Sequence, residues 1–185
     1  VMRNQFYKQR SDFELSAIER DKTQVMPEGV SVQTDIPYMN DGDKAHRMDV
    51  YRPEGSEDTT LPVVINIHGG GLLIGSKEFN RFFCAKLSRL GYLVFSIDYR
   101  LVPDCMVFDQ FSDVCNAFKY INAHLGEYNG DSGHIYGVAD SGGAYLLTYT
   151  AAMAKNRELA KAAHVKPQKF SFRAIGLISG MFYTN

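Results

Sequence analysis

Two glycine-rich stretches of this sequence could do chemistry together. "VADSGGAY", Val138–Tyr145, sets Ser141 between an apolar, strand-like run and a helix-forming run. "HGGG", His68–Gly71, closes another apolar run, "LPVVINI". A serine on a sharp strand-to-helix turn has its hydroxyl pushed clear of the sheet, and small neighbours let strand and helix approach closely. The N-terminus of the following helix offers N–H groups and a favourable dipole to a developing oxyanion. A second glycine loop can add further N–H groups to the same oxygen. The pair suits acyl transfer through a tetrahedral intermediate, with no metal and no cofactor implied.

Such groups need a scaffold that brings both turns to one edge. "VSVQTDIPY" and "HRMDVYRPE" alternate like half-buried strands, with turn chemistry in "NDGD" between them. "LPVVINI", "YLVFSIDY" and "HIYGVA" have the continuous apolar character of strands covered on both faces. "KEFNRFFCAKLSRLG" carries Phe79, Phe83 and Leu87 at helical spacing and ends at Gly91. "FDQFSDVCNAFKYINAHLG" carries Phe111, Val114, Phe118 and Ile121 in the same way. "AYLLTYTAAMAKNRELAKAA" reads as one strong helix after the serine, and "FRAIGLISGMF" as a last strand. Residues 1–28 are polar, with Phe6, Phe13, Leu15 and Ile18 loosely spaced for one or two short helices. The order predicts an open, mostly parallel α/β sheet with helices on both faces. In such sheets the site lies at the carboxyl ends of the strands, where "HGGG" and "SGG" would be neighbours. Phe79, Phe82, Phe83, Phe108 and Phe111 are expected mostly in the core, and the basic stretch Lys155–Lys169 as a solvated helix end.

"HGGG", "DYRLVPD" and "ADSGGA", in this order, resemble the motifs of the hormone-sensitive-lipase-like esterases of the α/β-hydrolase superfamily. The resemblance runs from about Val30 to the end of the chain. It implies a three-layer α/β-hydrolase sandwich, with residues 1–28 as a cap or lid and residues 29–185 as the N-terminal part of the catalytic domain. It makes Ser141 the nucleophile, and Gly70, Gly71 and Gly142 the donors of the oxyanion hole. His68 would organise the glycine loop, and Asp98 would play a structural, hydrogen-bonding part beside it. Leu72 and Leu73, just after the glycines, are the expected lining of the acyl pocket. The implied partner is a small, fairly apolar ester, and a homodimer is left open.

The sequence departs from the family pattern in two ways. Ala139 stands where the elbow usually has its leading glycine, and Gly142 where alanine is commoner. The larger departure is the missing partners of Ser141. In the family the acid and the histidine follow later strands, and this chain runs only to Asn185. His164, beyond a helix starting at the serine, would be roughly 30 Å away. His134, at the start of the serine's own strand, would be roughly 23 Å away. His124 and His46 have no better claim, and a general base must come within about 3 Å of the hydroxyl. Asp140, adjacent to Ser141, cannot orient a histidine across the site. The expectation is a catalytic domain lacking its last strands, with base and acid beyond residue 185.

Composition narrows the alternatives. The net charge of −1 and pI near 6.6 lack the basic footprint of a nucleic-acid binder. No apolar run approaches the ~20 residues of a membrane span, and the first residues lack a signal-peptide core. Cys84, Cys105 and Cys115 follow no metal or redox spacing and read as reduced thiols packing as small hydrophobes, so a cytoplasmic setting is expected. Two other functions share these motifs: an amidase of the arylformamidase kind, and a non-catalytic binder of small ligands that has lost its histidine.

Overall fold

The computed structural model describes residues 2–166 and 171–182. A single helix, α1 (Met2–Asp21), leads into the hairpin β1 (Val30–Pro37) and β2 (Arg47–Pro53). Then follow β3 (Leu61–Ile67), a 3-10 turn (Lys77–Asn80), α2 (Arg81–Arg89), β4 (Leu93–Ile97) and α3 (Val107–His124). β5 (Gly130–Asp140) runs directly into α4 (Ser141–Met153), and α5 (Arg157–Ala162) and β6 (Ala174–Ile178) complete the order.

The six strands form one sheet in the order β1-β2-β4-β3-β5-β6. β2 is antiparallel to β1 and β4, and every other pairing is parallel. The expected mostly parallel α/β sheet is the one observed. Its register places Ile67 of β3 opposite Ala139 of β5, so the glycine loop and the Ser141 turn leave the sheet side by side. Apolar residues bury both sheet faces, as the β-branched runs require. Val63, Ile65 and Ile67 pack with Phe111, Val114 and Phe118 of α3 and Leu146 and Leu147 of α4. On the other face Val64, Tyr51 and Val94 pack with Cys84 and Ala85 of α2.

Several local expectations need correction. Of the one or two short helices expected there is one, α1, and at 20 residues it is not short; its Phe13, Leu15 and Ile18 are exposed. α2 buries Phe82, Cys84, Ala85 and Ser88, while Phe83 lies on the solvent side. The 3-10 turn shifts the helical phase by putting Phe79 outside α2, so the Phe79–Phe83 spacing does not mark the buried face. Phe108 is exposed as well, in the first turn of α3. The run after Ser141 is two helices, because Asn156 breaks it and accepts hydrogen bonds from the N–H groups of Glu158 and Leu159 at 3.0 Å. β6 lies at the sheet edge with Ile175, Leu177 and Ile178 exposed. Residues 167–169 of the basic stretch lie outside the described residues.

Candidate active site

Ser141 has φ +48, a left-handed conformation that a residue with a Cβ adopts only under constraint. It stands where β5 becomes α4, so the strained turn of a nucleophile elbow is present in the backbone itself. The turn is possible because its neighbours are small. Gly143 packs on the end of β3, where a Cβ would stand 2.3 Å from the Ile67 carbonyl oxygen. Ala139, in place of the usual glycine, is buried within β5 and leaves the turn intact.

The glycine loop folds back over this turn. Gly70, Gly71 and Leu72 have φ +113, +61 and +69. Positive φ at three successive positions is open to the two glycines and costly for Leu72. Among the described residues the N–H groups of these three have no protein acceptor. Gly142 lies directly beneath them: a Cβ there would be 3.0 Å from Leu72 N and 3.2 Å from Gly71 N. The structure therefore brings Gly71, Leu72 and Gly142 together beside Ser141.

The loop is held from both ends. Gly69 N–H donates to Asp140 Oδ1 at 3.1 Å, and the Leu72 carbonyl accepts from Gln110 Nε2 at 2.9 Å and Val102 N–H at 3.0 Å. His68 is fully buried, stacked on Tyr99 at 4.4 Å, with Nδ1 2.8 Å from the Gly69 carbonyl oxygen. Tyr99 hydroxyl donates to the His68 carbonyl at 2.8 Å. Burial lowers the His68 imidazole to about 4, so it is neutral at ordinary pH. Its Nε2 lies 3.7 Å from Asp98 Oδ1, too far for a hydrogen bond. Burial, reinforced by Glu78, raises the Asp98 carboxyl to about 8. Burial thus works against an ion pair at this contact. Asp98 Oδ1 accepts the Lys77 backbone N–H at 2.6 Å, fixing the 3-10 turn behind the loop.

A cavity of about 590 Å³ lies between α1 and the loop, lined by Gln9, Asp12, Phe13, Ser16, Gly70, Gly71, Leu73 and Ile74. That volume is within the usual range for a small-molecule site. Leu73 is on its wall, whereas Leu72 packs toward the core. Arg10 fastens α1 here, with Nε donating to the Leu73 carbonyl at 3.1 Å and its terminal nitrogens to the Val102 carbonyl and Asp104.

The other four histidines lie among residues outside the elbow and the glycine loop. His46 is buried between Asp41 at 2.6 Å and Asp113 at 3.1 Å. His124 pairs with Glu127, and His134 with Asp131 at the far end of β5. His164 lines a small cavity with Ser112, Cys115 and Asn116 of α3. The straight-helix distance for His164 does not apply, since α4 ends at Met153, but its location is still beside α3. Sequence reasoning missed Asn66, Asn80, Lys77, Tyr99 and Gln110, which carry the loop. Only Tyr99 belongs to a motif, within "DYRLVPD", and their partners lie far along the chain.

A BD-FAE family model matches residues 48–181. The chain is 32% identical over 105 residues to "Probable isoprenylcysteine alpha-carbonyl methylesterase ICMEL1" of Arabidopsis thaliana, covering 57% of this chain and 22% of that protein. Among solved structures, esterase B from Lactobacillus rhamnosis superposes with a TM-score of 0.90 at 27% identity, covering 95% of this chain and 56% of that one. An esterase from Pyrobaculum calidifontis superposes with a TM-score of 0.69 at 32% identity, covering 83% and 49%. The chain thus spans about a quarter of that curated relative and about half of those solved esterases. Since the matched segment holds everything from β2 through the elbow to β6, the chain belongs to the BD-FAE family and, with its solved neighbours, to the α/β-hydrolase esterases.

Proposed function

We propose that this chain carries the nucleophile and oxyanion hole of a serine carboxylic-ester hydrolase. The observation that carries the proposal is the left-handed Ser141 at the β5–α4 junction, with Gly142 directly beneath the glycine loop. Ser141 Oγ would attack the ester carbonyl carbon, and the N–H groups of Gly70, Gly71 and Gly142 would hold the resulting oxyanion. Collapse would expel the alcohol and leave an acyl-serine, which water hydrolyses in a second step. The proton of Ser141 must go to a base other than the five histidines of this chain. That base and its acid would come from the part of the longer relatives that this chain does not cover. His68 and Asp98 would shape the loop rather than move protons.

The substrate would be a small ester, seated in the cavity under α1. Phe13, Leu73 and Ile74 give that cavity its apolar wall, and Leu72 would back the loop from the core side. α1 would serve as a lid, pinned by Arg10. No helix among the described residues is long and apolar enough to cross a membrane. The test is turnover of short-chain p-nitrophenyl esters by the full-length protein, which supplies the base and acid: Ser141→Ala should abolish it, and unchanged turnover would remove Ser141 from the mechanism. An N-formyl amide substrate run in parallel separates esterase from amidase.

A second reading rests on the cavity alone: a non-catalytic protein that binds a small ligand there. Stoichiometric binding of an ester analogue, without turnover and without covalent capture by a phosphonate, would select it.

A further inference from the structure

Asn80 occupies the position before α2, where an asparagine ordinarily accepts hydrogen bonds from the first N–H groups of the helix. It makes no such cap. Its Nδ2 donates instead to Asp140 Oδ1 at 2.9 Å and to Asn66 Oδ1 at 3.3 Å. This orientation is enforced from behind. Asn66 is buried and directs its own Nδ2 to Ser96 Oγ at 3.1 Å. The Ser96 hydroxyl donates in turn to the Lys77 carbonyl at 3.2 Å. Asn66 therefore presents its oxygen to Asn80, and Asn80 presents amide hydrogens to both neighbours.

The Asp140 oxygen that accepts from Asn80 also accepts Gly69 N–H at 3.1 Å. Asp140 immediately precedes Ser141, and Gly69 immediately precedes Gly70 and Gly71. One carboxylate thus ties the elbow to the loop. A Cβ on Gly69 would stand 2.2 Å from the other oxygen of that carboxylate, which shows how tightly the two segments are joined.

We propose that Asn80 is a positioning residue for this site: by holding Asp140 it sets the separation between Ser141 and the loop amides. It touches neither substrate nor reacting atoms. The inference rests on the esterase reading of Ser141. Removing an oxyanion donor outright costs 10²–10³-fold in kcat, and loosening its support costs less, about tenfold.

The decisive variant is Asn80→Asp, nearly isosteric and acceptable at a helix N-terminus. It replaces the donor facing Asp140 with an acceptor. Two adjacent carboxyl groups resist ionising together, so a proton held between them remakes the contact at low pH and its loss breaks the contact at high pH. Asn80→Ala removes the contact at every pH. Two readouts apply: kcat and KM of ester hydrolysis against pH, and the exchange protection of the Gly69 amide by NMR.

For Asn80→Asp we expect kcat about tenfold below wild type above neutral pH, KM unchanged, and the gap closing as the pH falls through the carboxylate range. Gly69 protection should follow the same curve. Asn80→Ala should show a deficit independent of pH. A wild-type profile in Asn80→Asp overturns the proposal, as does a loss without pH dependence that merely tracks a lower Tm. Both readouts are taken on the full-length protein, which supplies the base and acid; if that protein turns over no ester, the esterase reading fails by itself. Gly69 protection then still decides whether Asn80 holds the loop: pH-dependent protection in Asn80→Asp supports it, and wild-type protection overturns it.

Discussion

Gly143 lies so close to His68 that a Cβ on the glycine would stand 2.4 Å from the His68 carbonyl oxygen. The first turn of α4 is therefore pressed against the end of β3, and this contact fixes where Ser141 sits relative to the glycine loop. Gly143→Ala should cost about 2 kcal/mol or more, because neither backbone can give way. Gly142→Ala meets only a 3.0 Å contact with Leu72 N and should cost less. Thermal unfolding of both variants checks the order. An unchanged Tm in Gly143→Ala would contradict the packing.

Lys77 is a buried cation behind the site. Its Nζ lies 3.2 Å from Asp49 and 3.2 Å from Asp35, and it also bonds Glu78. Burial alone would lower its ammonium, but Glu78 and Asp49 hold it above its ordinary value. Lys77→Met would leave the buried Asp49 without a counter-charge and should cost about 3–5 kcal/mol in urea unfolding. Adding Asp49→Asn should recover part of that loss. Equal stability of the single and double variants would show that the pair is uncoupled.

His68 and Asp98 shape the pH dependence in opposite senses. His68 stays neutral in the fold down to about 4, while the unfolded chain takes up that proton near its ordinary value of 6.5. Its contribution is present above about 6.5 and is lost as the pH falls toward 4. Asp98 is held protonated up to about 8, so its contribution is greatest at low pH and is lost as the pH rises from the ordinary carboxylate range toward 8. The His68 ring signals in NMR should not titrate until about pH 4. Relative to wild type, Asp98→Asn should gain stability as the pH rises to about 8. A His68 midpoint near 6.5 would contradict the assigned burial.

Arg10 makes three of the bonds that tie α1 to the rest of the fold. Tyr7 on Asp104, Phe13 against Phe79, Arg20 on the Phe79 carbonyl and Asp21 on Arg81 supply others. Arg10→Ala should speed amide exchange across α1 by about tenfold or more and leave β3–β5 unchanged. Uniform exchange in wild type and variant would mean that α1 is held by other contacts.

The sequence made the sheet and its two turns legible because β3, β4 and β5 contain apolar runs without helical spacing and both glycine turns stand at strand ends. The family resemblance gave His68 and Asp98 supporting parts near the site. The supports of the loop were hidden. Asn80 meets Asp140 60 positions away and Asn66 14 positions away, separations that no local pattern records. The buried face of α2 was misread because the 3-10 turn at Lys77–Asn80 resets the phase before Phe82. The break between α4 and α5 was readable in hindsight from Asn156 and Glu158, a cap sequence inside an otherwise helical run.

The central claim is that Ser141 is a nucleophile, and covalent capture tests it most directly. A tributyrin phosphonate is the inhibitor named for one solved structure of the neighbouring Lactobacillus esterase B. Treating the protein with an alkyl phosphonate and mapping the adduct by peptide mass spectrometry should place one phosphonyl group on the peptide containing Ser141, with none in Ser141→Ala. An adduct at another residue, or equal labelling of Ser141→Ala, would contradict the assignment.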